Sequence, residues 1–135
     1  DINPKFVIDV MAVPWGEFLG RLLDGRGTMF VVGWGADYPD PHNFAHPFMR
    51  SEFGAFPVWT SYVNTTVDQW IDDAGIETDP TVREQIYFDL QEAAFWDPPG
   101  IWLYQSVVDH FERDWVKGWY FNAVTTLYYY DYSKG

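Results

Sequence analysis

The run Thr28-Met29-Phe30-Val31-Val32-Gly33-Trp34 leads straight into Gly35-Ala36-Asp37-Tyr38-Pro39-Asp40-Pro41. Met29 to Val32 is continuously apolar, the texture of a strand covered on both faces. The turn that follows is rich in Gly, Pro and Asp. It places an aromatic ring and two carboxylates just past the C-terminal end of the expected strand. In open α/β sheets that end of the strand is where small ligands are held.

Working outward, the residues before this run complete a unit. Phe6 to Val13 reads as a strand, mostly apolar, with Asp9 its one charge. Pro14 suits the first position of a helix, where a missing N–H costs nothing. Trp15, Phe18, Leu19, Leu22 and Leu23 then recur at helical spacing, and Gly25 and Gly27 supply a stop. Strand, helix, strand predicts a right-handed parallel crossover and an α/β fold.

Downstream, Pro39, Pro41, Pro47 and Pro57 argue against long elements up to Trp59, with one short helical turn over 42–49. The stretch is too apolar for a loose linker: Phe44, Phe48, Phe53, Phe56 and Trp59 need something to pack on. Thr65 opens a further helix, with Asp68 in the capping-box position. Val67, Trp70, Ile71 and Ala74 form its apolar face, and Gly75 ends it. Asp79-Pro80 reads as cap plus first helical residue. Val82, Ile86, Leu90 and Ala93 stripe the longest helix, which runs to about Trp96 and stops at Pro98-Pro99-Gly100. Ile101 to Val108 reads as a strand. The ring-rich tail from Arg113 reads as loop plus a short terminal strand.

Composition excludes several functions. The 135 residues carry 8 Lys and Arg against 20 Asp and Glu, a net charge of -12. A general nucleic-acid groove needs clustered cations, which this chain lacks. With no cysteine there is no disulfide, thiolate metal site or cysteine nucleophile. No apolar run approaches the ~20 residues that span a bilayer. Aromatic residues are 21% of the chain, enough to line a cleft as well as fill a core. Asp1-Ile2-Asn3-Pro4, with no initial Met, reads as a passage from inside a longer protein.

His42 and His46 stand four apart near Asp37 and Asp40, but the glutamate that follows the first histidine of zinc proteases is absent. Surface or packing histidines are the plainer reading. Asp37 and Asp40 can be drawn as a paired-carboxylate acid/base site, but glycosidases need two carboxyls a set distance apart, and a three-residue spacing in a Pro-rich turn places them poorly for that. Asp40 before a proline suits turn initiation. Asp37 differs, since no Lys or Arg lies between Arg26 and Arg50. Either a distant arginine pairs with it or a ligand cation does. There is no Gly-x-Ser-x-Gly elbow and no complete dinucleotide glycine loop. Asn64-Thr65-Thr66 fits a glycosylation sequon, a pattern too short to decide anything.

In order along the chain, five pieces resemble one family. They are Trp34-Gly35-Ala36-Asp37-Tyr38-Pro39-Asp40-Pro41; Tyr62-Val63-Asn64 with Asp68 and Trp70-Ile71; Arg83, Tyr87 and Gln91; Pro99-Gly100-Ile101-Trp102-Leu103-Tyr104; and Val116-Lys117-Gly118-Trp119. The chain resembles the C-terminal part of a family 5 extracellular solute-binding protein, over roughly residues 6 to 133. One departure is Ala123, where a proline often follows the asparagine.

The resemblance implies a two-lobed, type II periplasmic-binding-protein-like fold that is incomplete here. Residues 1–103 would be part of the C-terminal ligand-binding lobe, and 104–135 a crossover strand and tail packing on the N-terminal lobe. It implies an extracytoplasmic receptor, periplasmic or at the cell surface, that delivers peptides to an ABC importer and catalyses nothing. Asp37 would pair with the peptide's α-amino group, with Trp34, Gly35, Ala36 and Tyr38 around it. The implied partners are the peptide, the membrane permease and the missing N-terminal portion of the protein; no cofactor, metal or nucleic acid is implied. The alternatives are a sugar receptor of the same family and a small secreted hydrolase using Asp37 and Asp40.

Overall fold

The computed structural model describes residues 3, 5, 7–52, 54–107, 109–122, 124 and 129–135. Readings that fell on Asp1, Ile2, Pro4, Phe6, Phe53, Val108, Ala123 and Tyr128 lie outside them. The regular structure among the described residues is helical apart from one small antiparallel sheet. No helix among them is long and apolar enough to cross a membrane. The chain divides into two compact units, Asp1–Val31 and Val32–Gly135.

The first unit holds α1, Trp15–Leu23. Pro14 occupies the cap rather than the first helical position, so the helix begins one residue later than expected. Leu22 is buried, and Phe18 meets Trp15 and Phe30 with ring centroids 5.4 and 6.1 Å apart. The stop is as the glycines suggest: Gly25 takes φ +69°. There the Arg26 N–H reaches back to the Arg21 carbonyl at 2.8 Å, satisfying a carbonyl at the helix end.

The expected strands over 6–13, 28–34 and 101–108 form no ladder among the described residues, so the parallel crossover expected from strand, helix and strand is not built. The physical reason is pairing. An apolar run becomes a strand only when a neighbour takes its N–H and C=O groups, and no described segment lies hydrogen-bonded alongside these. Val10 and Val31 are 95% and 77% exposed, so no neighbouring layer covers them either.

The second unit is built on four helices: α2 His42–Met49, α3 Ala55–Thr60, α4 Thr65–Ile76 and α5 Pro80–Trp96. Asn64 caps α4 by accepting the Thr66 and Val67 N–H groups, and Asp79 caps α5 by accepting those of Thr81 and Val82. Asp68, expected in a capping box, turns away from its own helix end. It accepts the Ser51 N–H at 2.8 Å and faces Arg50 at 3.3 Å, which ties the end of α2 to α4.

The core collects Ala45, Phe48 and Met49 of α2, Val67, Ile71 and Ala74 of α4, and Tyr87 and Leu90 of α5. Phe56, Trp70, Ile86, Ala93 and Ala94 pack against it. Val82, read as part of the α5 stripe, is instead 48% exposed. Gly54 sits where α2 hands over to α3; a Cβ there would come within 2.5 Å of the Arg50 carbonyl. That close approach leaves no room for a side chain between the end of α2 and the start of α3.

After α5, Trp102 rests on Phe48 at 5.6 Å between centroids and donates to the Ala94 carbonyl at 3.3 Å. The sheet is β1, Val116–Lys117, antiparallel to β2, Ser133–Lys134, with Val116 opposite Lys134. Gly118, at φ +93°, lies against the Asp131 carbonyl where a side chain would not fit.

Candidate functional site

The candidate loop, Trp34 to Tyr38, runs into α2, and one buried side chain fixes how it arrives. Asn43, 5% exposed, accepts the Trp34 indole Nε1–H at 3.1 Å and the Asp37 backbone N–H at 3.0 Å, both on Oδ1. The Trp34 ring meets Phe48 edge-on at 5.7 Å. Tyr38 stacks on His42, its hydroxyl 2.8 Å from Nδ1. Trp34, Asp37 and Tyr38 are thus each tied to α2, the first two through Asn43 and the third through His42.

The two carboxylates of the loop have opposite fates. Asp40 accepts the His42 N–H at 2.8 Å, in the turn role expected for Asp before Pro, and it also accepts Arg83 Nη2 at 2.8 Å. Arg83 further donates to the Ala74 carbonyl at 2.9 Å and to the Tyr87 hydroxyl at 3.0 Å. The Arg83 hydrogen bond holds the Asp40 carboxyl below its ordinary value, against a smaller upward push from burial. Arg50 is engaged with Asp68 and Asp72. Asp37 is exposed, and its carboxylate has no hydrogen bond or ion pair among the described residues. Of the two readings open at the sequence level, the one requiring a distant arginine is not met among the described residues.

The Arg83 knot has a measurable consequence. Arg83→Met is expected to cost on the order of 1–2 kcal/mol, because charged hydrogen bonds are lost but both side chains are partly solvated. It should also alter acid sensitivity. Asp40 titrates lower when folded than its ordinary 3.8, so its contribution is present above that value and lost as pH falls through the lower one. Urea melts from neutral to acid pH should show this contribution in the wild type and not in Arg83→Met.

His42 and His46 share a face of α2 as their spacing requires, ring centroids 5.0 Å apart. Burial, then the neighbouring His42, lowers the His46 pKa. Among the described residues no group of three His, Asp or Glu side chains is placed to hold a metal. Tyr62 of the second resembling piece is pushed up to about 12, chiefly by burial and next by the Asp97 charge, so it stays neutral. A shallow groove of about 430 Å3 lies along α5, lined by Pro41, Thr78, Arg83, Tyr87, Phe88 and Gln91. The Trp34–Tyr38 loop does not line it, so the groove and the predicted site are separate features. Asn43 and the Asp40–Arg83 tie escaped the sequence reading. The available signal for Asn43 was an amide between His42 and Phe44, in a short helix whose other residues, the two histidines aside, are apolar.

No protein-family model matches the chain, and no solved structure matches it. Two curated proteins are similar to it in sequence. A probable di/tripeptide-binding protein 5 of Pseudomonas aeruginosa (strain UCBPP-PA14) is 26% identical over 95 residues, 67% of this chain and 18% of the relative. The probable D,D-dipeptide-binding periplasmic protein DdpA of Escherichia coli (strain K12) is 30% identical over 105 residues, 77% of this chain and 20% of the relative. The chain thus spans about a fifth of the length of the curated relatives it matches. At the level these similarities reach, the chain is a distant, partial relative of peptide-binding proteins.

Proposed function

We propose that this chain is the C-terminal part of an extracytoplasmic solute-binding protein of family 5 that captures peptides and passes them to an ABC importer. One observation carries the reading. Asp37 presents a carboxylate with no partner among the described residues, while Arg83, the cation of the neighbouring helix α5, is taken by Asp40. A peptide's α-ammonium group is a fitting counter-charge, and Trp34 and Tyr38, 40% and 42% exposed, offer ring faces beside it. A Cβ on Gly35 meets nothing. The space beside its backbone is therefore open to a ligand. The two relatives, named for dipeptide binding and one of them for the periplasm, support the same class and compartment.

In this reading residues 1–103 belong to the ligand-binding lobe and 104–135 lie against the remainder of the protein. The exposure of Val107, Phe111 and Phe121, at 86%, 89% and 73%, supports a covering partner there, since large apolar patches are rarely left bare. Binding proceeds without chemistry. The full-length protein incubated with dipeptides and oligosaccharides should return both unchanged by mass spectrometry, while calorimetry shows heat with the dipeptide. Turnover abolished by Asp40→Ala would instead establish the hydrolase reading.

A further inference from the structure

We infer that Asn43 is the positioning residue of the ligand loop, and that its amide oxygen aims Asp37. This inference rests on the peptide reading above. Asn43 belongs to α2, but both of its hydrogen bonds leave the helix. One fixes a side chain, the Trp34 indole; the other fixes a backbone group, the Asp37 N–H. They converge on the same oxygen, so the ring and the carboxylate-bearing residue share one reference point on a rigid element. Both partners are obligate donors, so the oxygen, and not the NH2 group, must face them.

The burial of Asn43 makes the arrangement demanding. At 5% exposure the amide is the buried polar residue of an otherwise apolar set that includes Ala45, Phe48 and Met49. A buried acceptor that gathers two donors stabilises one loop geometry, and removing it strands both donors. Apolar packing alone could seat α2 without Asn43, because Phe48 and Met49 carry its core face. What such packing cannot do is set the direction of the Trp34–Asp37 segment, where Gly33 and Gly35 leave the backbone free to turn. A site that must hold an ammonium needs its carboxylate held to within a fraction of an ångström.

The test uses the full-length protein, alanyl-alanine with a free amino terminus as the probe, and two variants. Asn43→Leu keeps the branched shape and loses the oxygen; Asn43→Asp keeps an oxygen that can accept both bonds. In the unliganded protein, Asn43→Leu should shift the Trp34 indole N–H resonance and speed hydrogen exchange at the Asp37 amide. Its affinity for the dipeptide should fall by about tenfold or more. Asn43→Asp should restore both N–H signatures and bring affinity back to within about threefold at neutral pH. If Asn43→Leu does not fold, Asn43→Ser, too short to reach either donor, takes its place.

Unchanged affinity in Asn43→Leu, or equal loss in both variants, overturns the inference. Failure of the underlying reading looks different. There Asp37→Asn leaves dipeptide affinity unchanged while the Asn43 variants still move the Trp34 and Asp37 signals.

Discussion

Asp37→Asn is expected to weaken dipeptide binding at least tenfold while leaving the melting temperature unchanged. The two halves of this expectation come from the same observation. Asp37 has no ion pair among the described residues, so neutralising it removes no contact that holds the fold. In a chain of net charge -12 the loss of one negative charge slightly relieves repulsion. Asparagine keeps the shape and the backbone N–H that Asn43 accepts. What disappears is the charge that would meet an ammonium. Removing one partner of a desolvated pair costs about 3–5 kcal/mol, and an exposed pair is worth about 0–1 kcal/mol. Tenfold, about 1.4 kcal/mol, is the least that a ligand-covered pair should show. A variant that binds poorly and also melts early would point to a structural role instead.

The second large effect lies in the core of the second unit. Ile71→Ala should destabilise by about 2–5 kcal/mol, since the residue is buried and its neighbours are drawn from three helices. Ile71 is 1% exposed and shares its cluster with Phe48, Val67 and Leu90. Domains of ordinary stability hold about 5–15 kcal/mol in all. One such cavity therefore removes a large share, and the urea midpoint should fall with little change in slope. Ile76, on the same helix, is 81% exposed. Its alanine variant should change stability by no more than about 0.5 kcal/mol. Equal effects from the two substitutions would contradict the packing described.

The helices were legible because their signals are local. Asp79-Pro80 fixes a helix start without reference to anything distant, and Val67, Ile71 and Ala74 declare a face by spacing alone. The prolines kept the elements short, as expected, but gave no notice of α3. Pro57 falls in the first turn of α3, where an N–H has no partner to lose. Pro47 sits inside α2 near its end and gives up one backbone bond without breaking the helix. The strands were not legible in the same way. An apolar run such as Met29 to Val32 states that it wants cover but not what will pair with it. The site divides along the same line. The isolation of Asp37 followed from the absence of Lys and Arg between residues 26 and 50. That Arg83, 43 residues away, binds Asp40 rather than Asp37 is tertiary information. So is the convergence of Trp34 and Asp37 on Asn43, because nothing in the spacing says which atoms of a loop and a helix will meet.

Whether the Asp37 carboxylate holds a peptide's amino terminus is decided by a thermodynamic cycle. Calorimetry would compare alanyl-alanine with its N-acetylated form, each against wild type and Asp37→Asn. Acetylation and the substitution should each weaken binding at least tenfold, about 1.4 kcal/mol. Together they should cost little more than either alone, because both remove the same interaction. Fully additive losses, or an acetylated peptide that binds wild type as well as the free one, would contradict that role of Asp37.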